Sequence, residues 1–158
     1  MPARRMRQFL DENEVRYVTL NHSPAYTAQA VASSAHIPSG QMAKVVMIRV
    51  DGKPAMAVLP ASFQVDFDEL RDGLGASEVV LMSENEFKNQ FPDCETGAMP
   101  PFGNLYGMPV YVAESLAEDE CIAFNAGTHR EVVLMRYSDF ERLVQPKATK
   151  FSTEILML

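Results

Sequence analysis

Two apolar runs joined by a tight-turn signal constrain the fold of this chain more than any other stretch. Residues 40–60 read GQMAKVVMIRVDGKPAMAVLP, and Asp51-Gly52 separates the two runs. Asp-Gly between apolar runs is a strong hairpin signal, because a two-residue turn of this kind needs positive φ angles. The sequence therefore predicts an antiparallel β-hairpin, and the rest of a sheet must form around it.

A lysine stands at the head of the first of these strands. Successive side chains of a strand point to opposite faces, so Lys44 shares a face with Val46, Ile48 and Val50. A buried ammonium is costly unless an anionic or polar group meets it, which makes Lys44 a candidate functional group. The simpler interpretation is that Lys44 extends its amine to water over its own aliphatic stem. The strand by itself leaves both interpretations open.

The remaining pattern predicts a mixture of helices and strands. Helical spacing predicts helices over 3–13 and 27–35, and a short one that starts at 66 and ends near Gly73. Capping boxes, Ser83 with Glu86 and Ser138 with Glu141, predict two more helices, through about Gln90 and about Val144. Strands are predicted over 16–20, 77–83, 108–113, 121–127 and 130–136. Strands dominate the middle and helices flank them, so we expect an α+β fold with a mixed sheet, as one domain over residues 1–158.

Composition argues against several classes of protein. The chain has 158 residues, 47% of them hydrophobic, and its formal net charge of −7 is spread without a basic tail or stripe. Neither a signal peptide nor an apolar run of membrane length is predicted. Cys94 and Cys121 lie too far apart for a CxxC pair and are interpreted as packing thiols. We therefore expect a cytoplasmic protein with no metal site and with neither DNA nor a membrane as partner.

A loop dense in glycine and proline is the first of two further features. Residues 94–109 read CETGAMPPFGNLYGMP. Glycine removes the Cβ and proline limits the alternative conformations, so such a loop can bring its backbone close to a ligand. The structural alternative is a rigid surface connection with Phe102 and Tyr106 packed beneath it.

The second feature is the stretch FNAGTHRE at residues 124–131, between two predicted strands. A hairpin turn needs glycine or asparagine, so local geometry alone can explain Asn125 and Gly127. His129 could be an exposed turn residue as well as a general base or a substrate ligand.

The order of these features resembles one family. HSPAYTAQAVASSAHIPSGQMAKVVMIRVDGKPAMAVLP, GAMPPFG, FNAGTH and YSDFERLV follow one another as in the YbaK/ProX family of aminoacyl-tRNA deacylases. That family includes free-standing editing proteins and the editing domain inserted in bacterial prolyl-tRNA synthetases. The resemblance extends from about residue 15 to residue 150. It implies a curved, barrel-like mixed β-sheet surrounded by helices, with a pocket for a misattached amino acid.

The resemblance also implies which residues form the site. Lys44 falls on the family's active-site lysine. The substrate-binding residues implied are Gly97, Pro100, Pro101, Phe102 and Gly103 in the loop, and Asn125, Gly127, Thr128 and His129 in the turn. A positioned water would hydrolyse the aminoacyl ester without a cofactor, while a backbone N–H of the loop stabilises the oxyanion. Protonated Lys44 would hold a phosphate or ester oxygen at the 3′ end of tRNA.

Alanine misattached to tRNA for proline is the first expectation for the substrate. Gly-Thr-His at 127–129 looks more like the alanyl-editing branch than the cysteinyl-editing one. Editing is needed because a synthetase pocket rejects a side chain smaller by one methylene by only about 1–3 kcal/mol. The partner would be the tRNA acceptor end, with prolyl-tRNA synthetase or an elongation factor supplying further contacts. Ala113 and Ala35-His36 replace an aspartate and a glycine frequent in the family, which leaves the substrate open.

Two other classes of function stay open from the residues alone. A non-catalytic module could use the same pocket to hold an aminoacylated end or a free amino acid beside a synthetase. A scaffold unconnected with tRNA would make Lys44 dispensable. The acidic net charge favours either alternative over a protein that grips tRNA unaided.

Overall fold

The computed structural model describes residues 3–21 and 41–154, where helices and strands form a mixed α+β fold. The helices are α1 Arg4–Glu12, α2 Phe67–Leu74, α3 Glu84–Phe87, α4 Glu114–Ala117 and α5 Tyr137–Val144, with a 3-10 helix at Gly103–Tyr106. The strands are β1 Tyr17–Asn21, β2 Ala43–Val50, β3 Lys53–Pro60, β4 Phe63–Val65, β5 Val79–Leu81, β6 Val110–Ala113, β7 Cys121–Asn125, β8 Glu131–Arg136, β9 Lys147–Thr149 and β10 Ser152–Glu154. None of the helices in these two ranges has the length and apolar character needed to cross a membrane.

The predicted hairpin is confirmed and forms the centre of the larger sheet. β2 pairs antiparallel with β3 along its whole length, and Asp51 and Gly52 make the turn with φ angles of 50° and 85°. β5 pairs with the other side of β2, while β6 and β9 continue the sheet in parallel beyond β3. The strand order is therefore β5-β2-β3-β6-β9.

Within residues 3–21 and 41–154, the second sheet joins the larger one at a single residue pair. Its three antiparallel strands have the order β1-β8-β7, and a separate ribbon pairs β4 with β10. Met42, just before β2, forms a parallel bridge with Ala123 of β7. The Ala123 N–H donates to the Gln41 carbonyl at 3.0 Å. This bridge makes the two sheets laterally continuous, as the curved mixed sheet implied by the resemblance requires.

Successive residues of β2 face two different apolar clusters. Ala43 and Met47 belong to the largest cluster, whereas Ile48 packs with Leu59 and Leu70 in a second one. Because side chains alternate along a strand, Lys44 points to the same face as Ile48. The prediction that Lys44 shares the face of the apolar residues is therefore confirmed.

Buried aromatic rings hold the Gly-Pro loop to the core. The side chain of Phe102 is fully buried, and its ring centroid lies 5.6 Å from that of Phe124 and 5.7 Å from that of Phe140. Both pairs have the edge-to-face arrangement that aromatic rings prefer. The loop that follows β5 and α3 is thus fixed to β7 and α5 by one side chain.

Most predicted elements are confirmed, with ends that differ by a few residues. α2 ends at Leu74, one residue past the predicted position, and Gly75 follows with a φ angle of 65°. The capping box at Ser83 is present, since the Glu86 carboxylate accepts the Ser83 N–H at 2.8 Å, but α3 ends at Phe87 instead of about Gln90. The helix predicted over 27–35 lies outside the described residues. The short elements α4, β4, β9, β10 and the 3-10 helix were not predicted, because they are too short to show a periodicity.

The capping box predicted at Ser138 and Glu141 is wrong. α5 begins at Tyr137, directly after β8, so Ser138 lies inside the first turn of the helix. The Tyr137 N–H donates instead to the Glu120 carbonyl at 2.9 Å. A backbone partner from another part of the chain replaces the side-chain cap at this helix start.

α1 packs against the turn that connects β7 to β8. Gly127 in this turn has a φ angle of 88°, and a Cβ added to it would lie 2.6 Å from the backbone nitrogen of Ala3. Farther along the helix, a guanidinium nitrogen of Arg7 lies 3.5 Å from a carboxylate oxygen of Glu131. The approach of helix and turn therefore requires a residue without a side chain at position 127.

Replacement of the capping residue of α2 tests the assignment of helix caps. Asp66 Oδ1 accepts the Glu69 N–H at 3.0 Å, so we expect Asp66→Ala to lower the free energy of unfolding by about 1 kcal/mol. Ser138→Ala is the matched control, because Ser138 does not cap α5, and its effect should stay within about 0.5 kcal/mol. Urea denaturation measures both values, and equal losses would contradict the assignment.

Replacement of Gly127 by alanine tests the close packing of α1. Gly127→Ala would combine a positive φ angle with a clash against Ala3, whereas Gly52→Ala has a similar φ angle of 85° and no atom within 4 Å of the added Cβ. We expect Gly127→Ala to lower the free energy of unfolding by about 1–3 kcal/mol more than Gly52→Ala. Thermal or urea unfolding of the two variants gives the difference, and its absence would contradict the packing of α1 on this turn.

Candidate active site

The Gly-Pro loop and the turn after β7 are hydrogen bonded to each other. The Glu95 N–H donates to the Gly127 carbonyl at 2.7 Å, and the Gly127 N–H donates to the Ala98 carbonyl at 2.9 Å. Nε2 of His129 lies 3.1 Å from the Thr96 carbonyl oxygen. Because a carbonyl only accepts, the proton of this hydrogen bond belongs to Nε2. Two stretches that are distant in sequence therefore form one unit.

Gly97 lies against the His129 ring within this unit. Its φ angle is 87°, and a Cβ added to it would lie 3.6 Å from Cε1 of His129. The Gly97 N–H donates to the Met99 sulfur at 3.3 Å. A thioether sulfur is a weak acceptor, so the Gly97 N–H can exchange this hydrogen bond for one to a stronger acceptor at small cost.

The last residue of β7 and the turn after it carry three buried polar side chains. Asn125, Thr128 and His129 are 9%, 9% and 8% exposed, and they are the buried polar or charged residues of the described part of the chain. The Thr128 hydroxyl donates to Glu131 Oε2 at 3.3 Å. Asn125 Oδ1 is buried and accepts no hydrogen bond from residues 3–21 or 41–154. Since buried polar atoms are normally hydrogen bonded, this oxygen is a candidate contact for a bound molecule.

Lys44 lies half-buried at the start of β2. Burial lowers the pKa of its ammonium below the ordinary lysine value. No ion pair between Lys44 and another described residue accompanies this burial. A desolvated cation of this kind favours the approach of an anion from outside the described residues.

The bridge between the two sheets brings Lys44 to the neighbourhood of Asn125. Met42 and Ala123 pair in parallel, and both belong to the third apolar cluster. Residues on parallel strands advance together, so Lys44 and Asn125 each lie two positions beyond the bridge, on the face of Met42 and Ala123. Asn125 is the last residue of β7 and leads directly into the turn. The lysine, the buried amide and the unit of loop and turn therefore lie at one end of the joined sheets.

The other loop residues that were predicted to bind the substrate lie in the protein interior. Pro100, Pro101, Phe102 and Gly103 are all buried. A Cβ added to Gly103 would lie 2.9 Å from a methyl carbon of Val110, so this position also needs glycine. These four residues anchor the loop, and their contact with a substrate stays a prediction.

Sequence reasoning missed the residues that connect the site to α1. The Asp93 carbonyl accepts the Ala3 N–H at 2.8 Å, and the Asp93 carboxylate accepts the Arg5 N–H at 3.3 Å and the Tyr106 hydroxyl at 2.8 Å. Glu95 was missed too, although its Oε2 accepts the His129 N–H at 3.1 Å. No local pattern marks these residues, because each contact joins positions far apart in the chain.

The two cysteines have the free thiols expected of packing residues. Burial and the neighbouring carboxylate of Asp93 raise the pKa of the Cys94 thiol to about 11. A thiol with so high a pKa is a poor nucleophile at neutral pH. Within the residues described, His, Cys, Asp and Glu side chains form no group of three that could hold a metal ion.

Comparison with known proteins gives the family and the fold. The family model described as the aminoacyl-tRNA editing domain matches residues 22–143. A solved structure described as a candidate trans-editing enzyme for prolyl-tRNA synthetase has a TM-score of 0.79, with 18% sequence identity and 96% coverage of both chains. At this identity the structural likeness shows the fold alone.

Two curated proteins are similar along most of the chain. The multifunctional Ser/Thr-tRNA deacylase ProXp-y of Escherichia coli (strain K12) is 28% identical over 153 residues, which are 93% of this chain and 90% of that protein. The prolyl-tRNA editing protein ProX of Acetoanaerobium sticklandii is 24% identical over 149 residues, 90% of each chain. With the editing-domain model matched over 22–143, well over half of the sequence, this chain belongs to the aminoacyl-tRNA editing domain family.

Proposed function

We propose that this chain deacylates tRNA that carries a wrong, small amino acid, with alanine on tRNA for proline as the first substrate. One observation carries the proposal: Lys44, the buried amide of Asn125 and the unit of loop and turn lie at one end of the joined sheets. Family membership supplies the reaction class, the hydrolysis of an aminoacyl ester. The alternative function is a non-catalytic module that holds an aminoacylated end or a free amino acid, and the deacylation experiment distinguishes the two.

Lys44 would act as an electrostatic clamp in its protonated form. The aminoacylated end of tRNA brings a phosphate and the oxygens of the ester, which are the groups that a desolvated ammonium attracts. The half-burial of Lys44 without an ion pair to a described residue supports this role. A cation that held a protein carboxylate would have to give up that partner first.

Gly97 is the donor that we assign to the developing oxyanion. Its N–H is oriented by the weak bond to the Met99 sulfur, and an oxyanion is a far stronger acceptor than a thioether. The bond would therefore be exchanged for a stronger one as charge develops in the transition state. Asn125 Oδ1 would accept from the ammonium group of the amino acid, and His129 would orient the attacking water or contact the amino acid.

A hydroxyl amino acid is the second candidate for the substrate. The Escherichia coli relative is named as a Ser/Thr-tRNA deacylase, and the Asn125 oxygen, buried and without a described partner, could accept a hydrogen bond from a serine or threonine hydroxyl. A site with such an acceptor favours a substrate that supplies the donor. Alanine and serine differ by this one hydroxyl, so a direct comparison separates the two candidates.

Deacylation of a panel of mischarged tRNAs tests the proposed function. We expect the wild-type protein to hydrolyse alanyl-tRNA for proline faster than cysteinyl-, seryl- and threonyl-tRNA, and Lys44→Ala to be slower by about 10²-fold. Fastest hydrolysis of seryl- or threonyl-tRNA would favour the hydroxyl amino acid instead. Lys53→Ala, an exposed lysine of the same hairpin, is the matched control and should keep full activity. If the protein binds one of these mischarged tRNAs but hydrolyses none of them, the non-catalytic binding module becomes the better description of its function.

The cost of burying Lys44 gives a second test. The unfolded chain binds this proton with an ordinary pKa of about 10.4, whereas burial lowers the pKa in the native protein. The charged form therefore destabilises the native state below the lowered pKa, and the penalty disappears as the pH rises past both values.

We accordingly expect Lys44→Met to raise the free energy of unfolding at pH 7, because it removes a charge that burial disfavours, although it removes activity. Lys53→Met, at an exposed position, should leave the free energy of unfolding unchanged. Urea denaturation at pH 7 measures both variants. A loss of stability in Lys44→Met would mean that the ammonium makes a favourable contact in the native protein.

A further inference from the structure

We propose that Glu95 is a positioning residue for the deacylation, an inference that rests on the proposed function. Its carboxylate fixes His129. The hydrogen bonds between the loop and the turn then fix the backbone of Gly97 relative to His129. Neither the sequence motifs nor the family resemblance points to this position, because Glu95 lies before GAMPPFG, residues 97–103.

Glu95 contacts the turn at two separate points. Its backbone N–H donates to the Gly127 carbonyl at 2.7 Å, and its Oε2 accepts the His129 N–H at 3.1 Å. The same Oε2 lies 3.9 Å from Nε2 of the His129 ring. One residue of the loop therefore holds both the start and the end of the segment Gly127–His129.

The adjacent residue completes the arrangement around the imidazole. The Thr96 carbonyl accepts from Nε2 at 3.1 Å, and the ring packs against Gly97. The His129 side chain is 10% exposed, whereas the Glu95 side chain is 53% exposed. A hydrogen bond from a backbone N–H to an ionised carboxylate is charge-assisted and roughly twice as strong as one between neutral groups, so it can hold the partly exposed Glu95 against the turn.

A second carboxylate at the same turn provides a contrast. Glu131 accepts from the Thr128 hydroxyl at 3.3 Å and pairs with Arg7 at 3.5 Å. Glu131 therefore joins the turn to α1, whereas Glu95 joins it to the loop that carries Gly97. Only Glu95, of these two, can set the distance between His129 and the Gly97 N–H.

The consequence for the reaction is a loss of alignment when the carboxylate is removed. A shift of about 1 Å in a positioned group can cost on the order of 10²-fold in rate. A donor that acts mainly on the oxyanion contributes to the transition state more than to substrate binding, so its misplacement lowers kcat more than it raises KM.

The experiment compares Glu95→Ala with Glu95→Gln in the full chain. The glutamine oxygen can still accept the His129 N–H, so we expect Glu95→Gln to keep kcat within about threefold and Glu95→Ala to lower it by about tenfold or more, with little change of KM. Hydrogen exchange of the His129 backbone N–H, followed by NMR, gives a second readout. We expect similar protection in the wild type and in Glu95→Gln and a loss of protection in Glu95→Ala, because only Glu95→Ala lacks a side-chain acceptor for this N–H.

Glu131→Ala is the comparator for a purely structural effect. It should lower stability while the His129 N–H keeps its protection against exchange. A kcat of Glu95→Ala equal to that of an active wild type would overturn the positioning role and leave the proposed function intact. If the wild type hydrolyses no mischarged tRNA, the proposed function fails, and unchanged protection of the His129 N–H in Glu95→Ala would overturn the positioning role independently.

Discussion

The parallel bridge between Met42 and Ala123 is the contact on which the site depends. It joins the two main sheets at a single residue pair and fixes the register of β2 against β7. That register places Lys44 and Asn125 at neighbouring positions on one face. A shift by one residue would send one of the two side chains to the opposite face. The placement of Lys44 and Asn125 on one face is therefore a consequence of how the sheets meet.

Backbone hydrogen bonds, more than side chains, assemble the rest of the site. The loop and the turn exchange two backbone bonds through Glu95, Ala98 and Gly127, and α1 adds the contact of Ala3 with Asp93. These approaches are possible because positions 97 and 127 are glycines with positive φ angles. At this end the buried Asn125 oxygen has no hydrogen-bond donor among the described residues, and burial disfavours the charge of Lys44. Such local costs are typical of functional sites.

The sequence predicted long elements well because their signals are local. The Asp-Gly hairpin, the helical spacing of α1 and the apolar strands β6, β7 and β8 depend on neighbouring residues, and all were confirmed. The failures occur where a contact with another segment decides the local structure. The pattern around Ser138 fits a capping box, but Tyr137 bonds the Glu120 carbonyl of another segment, so the helix begins earlier. Short strands such as β9 and β10 exist only because a partner strand is present.

The sequence by itself determined the family, the residue types of the site and the face on which Lys44 lies, because motifs, spacing and alternation are properties of the chain. Only the tertiary structure decided that Phe102 anchors the loop in the core, that Gly127 accommodates Ala3, and that Glu95 bonds His129. These facts depend on contacts between segments that are far apart in the chain. Spacing along the sequence carries no information about such distances until the sheets are joined.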